Sequence, residues 1–168
     1  MLQTDFSYGD YKFKSIRSSD VERIVSWIRD NIDEKGSYYS LDSDIFYRRF
    51  LEYYISENEC FMEIYKNNQL VAVFKGRLEK MNHTELVIWF FVMDKLKRNE
   101  GIGTSIIDLI IKYFKEVHNI DDILVGVVQN NMEGISFWNS MGFDVSRISR
   151  NFFDGHEEKD RNLVIMKK

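Results

Sequence analysis

Arg98-Asn99-Glu100-Gly101-Ile102-Gly103-Thr104 lies between a long apolar stretch and an apolar helical pattern, and its reading decides the fold. Backbone amides at a helix N-terminus have no internal partners, and the helix dipole adds partial positive charge there, so such a turn suits an anion. Gly101 and Gly103 let a phosphate oxygen approach main chain that a β-carbon would screen, and Lys95, Lys97 and Arg98 bring charge to the rim. Taken alone, a motif this short also fits a strand-to-helix turn with solvated lysines.

Upstream, Thr84-Glu85-Leu86-Val87-Ile88-Trp89-Phe90-Phe91-Val92-Met93 is too continuously apolar for a strand with one wet face; it reads as a central strand covered on both sides. Downstream, Ile102, Ile106, Leu109, Ile110, Tyr113, Phe114 and Val117 recur at helical spacing, with Asp108, Lys112, Lys115 and Glu116 opposite them. The turn is therefore a βα junction. No Lys-Ser or Lys-Thr pair follows the second glycine, which excludes the nucleoside-triphosphate loop. The third glycine and the acidic residue about 20 positions on that mark a dinucleotide fold are also missing.

One strand later, Ile123-Leu124-Val125-Gly126-Val127-Val128 is a buried run rich in β-branched residues. It leads into Asn130-Asn131-Met132-Glu133-Gly134-Ile135-Ser136-Phe137-Trp138-Asn139-Ser140-Met141-Gly142-Phe143. Asn130 and Glu133 have the spacing of a capping box, and Gly142 stands where a helix ends in a left-handed residue, which predicts a helix of about three turns. A capped amphipathic helix with a glycine stop accounts for these residues without any ligand.

Together, Arg-x-x-Gly-x-Gly at 98–103 and then Asn131, Gly134, Phe137, Trp138 and Gly142-Phe143 resemble the GNAT superfamily of acetyl-CoA-dependent N-acetyltransferases. The resemblance is specific over residues 84–143 and topological outside them. It implies that the segment Arg98, Asn99, Glu100, Gly101, Ile102, Gly103 and Thr104 grips the pyrophosphate of coenzyme A. The helix led by Asn131, with Trp138, would line the far side of the pantetheine arm. The implied fold is mixed α/β (α+β), a splayed central sheet of about seven strands flanked by about four helices in the order βααβββαβαββ.

The remaining segments fill that order. Residues 11–17 alternate with period two and read as a strand; Ser18-Ser19-Asp20 opens a helix whose stripe is Val21, Ile24, Val25, Trp27 and Ile28. Residues 36–40 read as a loop, and Asp42-Ser43-Asp44 caps a second helix carrying Ile45, Phe46, Phe50, Leu51 and Tyr54. Strands at 60–66 and 70–80 are joined by Asn67-Asn68-Gln69, a hairpin turn. Strands at 144–150 and 162–167 close the chain around a polar loop at 154–158.

With 168 residues and a net charge of -4, the expectation is one GNAT-like domain over 1–168, cytoplasmic, monomeric or homodimeric, with no nucleic-acid or membrane partner. No stretch of about 18 apolar residues and no basic-hydrophobic leader is visible. Cys60 is the only cysteine, no Cys/His cluster has zinc spacing, and His83, His118 and His156 are scattered among polar neighbours, so no metal is expected.

If the strands at 85–93 and 123–128 part at their C-terminal ends, their facing main-chain groups need partners. The two amides of pantetheine can supply them, placing the thioester beside Phe91, Val92 and Met93. A backbone amide near Met93 would hold the oxyanion. Glu85 is the candidate base, on a register that puts it on one face with Val87, Trp89, Phe91 and Met93 and on the strand glutamate of resembled enzymes; it reads equally as a solvated strand-end residue. Two departures stand out from the resembled pattern. Trp138 replaces a tyrosine that protonates the coenzyme A sulfur, and Glu100 brings negative charge to a loop position usually small or basic. For the acceptor, Tyr38, Tyr39, Asp42 and Asp44, with Asp154, Glu157, Glu158 and Asp160, are candidates to wall a pocket or attract a cation, though acidic runs also form plain solvated faces.

The expected function is transfer of acetyl from acetyl-CoA to a primary amine of a small molecule or peptide, directly, in a ternary complex. The alternatives are a non-catalytic acyl-CoA-binding sensor or scaffold, and a binder of another phosphorylated ligand. Cys60 opens a strand distant from either motif and reads as a core residue, not a nucleophile.

Overall fold

The computed structural model describes residues 1–32, 50, 52, 54–80, 83–152 and 162–168. The expected loop at 36–40, the cap at 42–44, helix positions Ile45, Phe46 and Leu51, and the loop at 154–158 lie outside them. In chain order the elements are β1 (Phe6–Tyr8), β2 (Tyr11–Ser15), α1 (Val21–Asn31), β3 (Glu59–Lys66), β4 (Gln69–Lys80), β5 (Thr84–Met93), α2 (Ile102–His118), β6 (Asp122–Val128), α3 (Met132–Ser140), β7 (Asp144–Ser149) and β8 (Leu163–Lys167). Residues 50, 52, 54 and 55 are helical.

The strands form one sheet in the order β1-β2-β3-β4-β5-β6-β8-β7. Only the β5–β6 pair is parallel. There are eight strands where about seven were expected, because Gly9 at φ 58° folds Phe6–Tyr8 back onto β2 as a hairpin. Three residues are too few to show a period; what holds them is Phe6, stacked 4.2 Å from Phe13 and 3.9 Å from Tyr113. The turn between β3 and β4 has Asn67 and Asn68 at φ 49° and 64°, the left-handed pair that a two-residue hairpin requires.

The sheet separates two cores. One face carries Cys60, Met62, Phe74, Leu86, Ile88, Ile123 and Val125 against Ile106, Ile110 and Phe114 of α2 and Trp138 of α3. The other carries Phe61 and Val73, with Phe90, against Ile24, Val25 and Ile28 of α1. Burial on both faces explains why β5 reads as an unbroken apolar run.

The register of β5 corrects one expectation. Lys75 lies opposite Phe90 while its neighbour Gly76 lies opposite Ile88, so Trp89 is an extra residue, a β-bulge. Before the bulge Leu86 and Ile88 face α2; after it Phe91 and Met93 do, and Phe90 turns to the α1 side. Glu85 and Val87 therefore do not share a face with Phe91 and Met93. Strict alternation fails because one inserted residue turns every later side chain over.

Candidate active site

β5 and β6 pair from Glu85 opposite Asp122 to Ile88 opposite Val125 and no further, although β5 runs on to Met93 and β6 to Val128. Each strand is held on its outer side: β4 follows β5 to Met93, and β8 follows β6 to Val128. The bulge at Trp89 bends β5 as it passes Ile88, and the pair splays.

Main-chain alternation identifies the groups on the open edges. Asp94 donates its N–H to the Val71 carbonyl at 2.9 Å, so β5 turns the amides of its even residues here toward β4 and those of Phe91 and Met93 toward β6. On β6, Ile123 exchanges bonds with Lys168 at 3.0 and 2.9 Å and Gln129 donates to Asn162 at 3.0 Å, which turns Gly126 and Val128 toward β5. The Val128 carbonyl accepts from Asn131 at 2.9 Å. The edges of the split are thus the main chain of Phe91 and Met93 on one side and Gly126 on the other, beyond the last rung of the ladder. Trp89, Phe90, Phe91, Val92 and Met93, and Gly126, Val127 and Val128, carry no ionisable side chain.

The turn above the split is built by its own main chain. The Asp94 carboxylate accepts from Leu96 N–H at 2.9 Å and starts a short 3-10 turn at Lys95–Lys97. Asn99 at φ 64° and Gly101 at φ 74° then reverse the chain, and α2 begins at Ile102. Ser105 N–H makes the first helical bond, to Gly101, so the amides of Ile102, Gly103 and Thr104 precede any intrahelical partner. No side chain caps this end. A β-carbon on Gly103 would lie 3.5 Å from Phe137 and 3.7 Å from Met93, so this glycine is not sterically required by the fold. The charged rim is arranged otherwise than expected. Arg98 donates to the main-chain carbonyl of Asn31 at the end of α1, and Glu100 is exposed.

The helix beyond the split starts one residue later than the capping-box reading. Asn131, not Asn130, caps α3, its side chain accepting from Gly134 N–H at 2.9 Å. Gly134 makes room for it, since a β-carbon there would lie 2.7 Å from the Asn131 amide nitrogen. Trp138 is 5% exposed, packed edge-on against Phe137 and Phe143 at 5.0 Å and Phe91 at 6.3 Å. It presents little surface to the split. Phe91, Met93 and Phe137 line it more openly.

Glu85 is placed elsewhere. It sits three residues before the last rung, where the His83 imidazole lies 2.8 Å from its carboxylate and 3.0 Å from that of Asp122. Eight residues of strand at about 3.3 Å each separate it from Met93. The structure brings Glu85 together with His83, Asp122 and Lys167, not with Met93. Lys167 donates to Asp122 at 2.8 Å, holding that carboxyl below its usual range and raising its own pKa. His83, Glu85 and Asp122 bring their ligand atoms within 4.8 Å of one another, so three such groups do converge here, already bridged by a histidine and an ammonium. Cys60 is 1% exposed and burial pushes its thiol up to about 12, so it is no nucleophile at neutral pH.

Two polar clusters escaped the sequence. Asn31 is 7% exposed at the end of α1, where its side-chain oxygen accepts from Lys95 N–H at 2.9 Å and its side-chain amide donates to the Trp27 carbonyl at 2.8 Å. The available signal was a polar residue continuing the apolar stripe of Ile24 and Ile28. Glu63, 3% exposed on β3, accepts from Arg23 of α1 at 2.7 Å and from Tyr65, whose pKa burial and that carboxylate push up to about 12. The acceptor candidates Tyr38, Tyr39, Asp42, Asp44, Asp154, Glu157, Glu158 and Asp160 lie outside the described residues.

Comparison with known proteins accords with this geometry. The family model described as an acetyltransferase (GNAT) domain matches residues 13–162. An N-alpha-acetyltransferase of Sulfurisphaera tokodaii is 22% identical over 162 residues, 89% of each chain. N-alpha-acetyltransferase 30 of Dictyostelium discoideum is 29% identical over 137 residues, covering 80% of this chain and 66% of that protein. Among solved structures, Arabidopsis thaliana Naa50 in complex with the bisubstrate analogue CoA-Ac-MVNAL superposes with a TM-score of 0.70 at 17% identity, over 95% of this chain and 99% of its own.

Proposed function

Because the chain belongs to the GNAT acetyltransferase family, we propose that it transfers acetyl from acetyl-CoA to the α-amino group of a peptide or protein. The observation that carries this reading is the split itself, edged by main chain of Phe91, Met93 and Gly126 and free of ionisable side chains on its diverging ends.

The residues present fit the cofactor. The uncapped amides of Ile102, Gly103 and Thr104 suit a diphosphate, and the open strand edges offer the donors and acceptors that the two pantetheine amides require. Acetyl-CoA supplies the acyl group as an activated thioester. The Met93 N–H, turned toward β6, is the donor for the carbonyl oxygen as it gains negative charge; substitution of the side chain leaves this donor in place. The nitrogen attacks directly, since the only cysteine is buried and protonated. Trp138 offers no acid at this end, so the proton shed by the attacking nitrogen would reach the coenzyme A sulfur through solvent as the thiol is released.

The absence of an ionisable group on the diverging ends favours an α-amine. With a pKa near 7.8, about one α-amino group in seven is neutral at pH 7, against roughly one alkylamine in two thousand. An α-amine therefore needs little help in losing its proton, whereas a lysine or polyamine nitrogen needs a base. Two curated relatives named as N-alpha-acetyltransferases support the same acceptor.

The test is release of free thiol from acetyl-CoA with three acceptors: peptides with a free N-terminus, the same peptides N-terminally blocked but containing lysine, and spermidine. Turnover on the first alone is expected. Turnover on spermidine or lysine without any on free N-termini overturns the acceptor, and cofactor binding without turnover on any amine favours the sensor.

A further inference from the structure

We infer that Asn31 is a positioning residue for the diphosphate-binding turn, holding it from the far end of α1; this rests on the cofactor site proposed above. The turn spans Asp94 to Gly101 and is tied within itself at its start, where the Asp94 carboxylate and carbonyl take the Leu96 and Lys97 N–H groups at 2.9 Å. Asp94 fastens its start to β4 through Val71, and α2 fastens its end. Between them Lys95, Leu96, Asn99 and Glu100 are exposed or half-buried, and the chain passes through extended and left-handed conformations that no ladder supports. Asn31 supports this segment twice. Its side-chain oxygen takes the Lys95 N–H at 2.9 Å, and its main-chain carbonyl takes the Arg98 guanidinium.

The side chain is itself held. Its amide donates back to the Trp27 carbonyl at 2.8 Å, one turn earlier, and the residue is 7% exposed, so both halves of the amide have partners and the rotamer is fixed. Ile28, fully buried beside it in the α1 core, anchors the helix end to the sheet. A rigid element thus reaches through one buried side chain to the segment that must present three amides in a fixed array. A buried donor-acceptor pair in this position acts on geometry, because a small misplacement of the amides weakens every bond they make to the ligand. Arg98, read from sequence as a rim charge, serves the same junction by closing the C-terminal carbonyl end of α1.

The effect belongs to cofactor affinity and not to turnover. Asn31→Ala removes both side-chain bonds, whereas Asn31→Asp keeps the acceptor for Lys95 N–H and replaces the donor to Trp27 by a carboxylate oxygen facing that carbonyl. Ile28→Val trims the same helix end without touching the turn. Binding of coenzyme A and desulfo-coenzyme A is measured by calorimetry, with thermal melts and steady-state kinetics on all four proteins. Asn31→Ala is expected to weaken coenzyme A binding and raise the KM for acetyl-CoA about tenfold, with kcat and the acceptor KM within twofold of the parent. Asn31→Asp should lose less than half of that effect on a logarithmic scale, and Ile28→Val should lower the melting temperature with the KM unchanged. The inference is overturned if Asn31→Ala binds coenzyme A as tightly as the parent. It is equally overturned if Ile28→Val reproduces the affinity loss, or if Asn31→Asp is as weak as Asn31→Ala. A parent protein that itself fails to bind coenzyme A would instead refute the cofactor site.

Discussion

Gly101 and Gly103 belong to one motif but are glycines for different reasons. Gly101 stands at φ 74° with nothing within 4 Å of where its β-carbon would be, so its constraint is conformational. Gly103 is helical, and a methyl there would meet Phe137 and Met93 at ordinary contact distance. Gly101→Ala should therefore cost about 1 kcal/mol of stability through left-handed strain, read by denaturant melts. Gly103→Ala should leave stability unchanged or raise it by up to ~1 kcal/mol, since alanine is the better helix former. Its methyl nonetheless enters the space between Met93 and Phe137 at the mouth of the split, so coenzyme A affinity should fall. A Gly103→Ala protein that is stable and binds normally would place the arm elsewhere. The motif read both glycines alike, as openings for a phosphate oxygen; the conformational demand on Gly101 and the neighbours of Gly103 were not legible, because they depend on the path of the chain and on what the fold brings beside it.

At the scale of elements, the C-terminal end of α2 carries a second readable consequence. His118 packs against Phe114 at 5.4 Å between ring centres, and its Nε2 is buried without a hydrogen-bond partner among the described residues. Burial, and then the nearby Lys80 charge, lower its pKa from 6.5. In the unfolded chain the imidazole takes a proton near pH 6.5, while in the folded chain it resists until lower pH. Stability should thus be undiminished above pH 6.5 and decline as pH falls below it. Replacing His118 by glutamine should flatten that decline in melting temperature between pH 7 and pH 5. The helices themselves were legible, although the buried face of α2 includes Ile107 and Ile111 and leaves Val117 exposed, and α3 buries only Trp138. The cap of α3 was misplaced by one residue because Asn130 and Asn131 are chemically identical, and only the room left by Gly134 decides between them.

Across the whole molecule, the mixed sheet and the parting of β5 from β6 were legible through the family resemblance that residues 84–143 carry, and not from the strand patterns alone. The hairpin strand β1 was not, being held by long-range ring stacking to Tyr113. The register that put Glu85 on one face with Phe91 and Met93 failed for a different reason: it assumed alternation along β5, which the Trp89 bulge interrupts. Glu85 lies at the closed root of the split with His83, Asp122 and Lys167. Glu85→Gln should accordingly lower kcat/KM by less than tenfold and leave its pH profile in place. A loss of 10²–10⁴, the scale of a general base, would return the role to it.

Trp89 makes the active centre depend on a count of residues as well as on their kinds. A conservative exchange such as Trp89→Phe keeps the tally and should be forgiven, whereas deleting the residue would rotate Phe90 to Met93 by half a turn, swap the sides presented to α1 and α3, and aim the wrong amides across the aperture. Gap placement at this one position would then distinguish working relatives from silent ones better than any comparison of residue types along the strand.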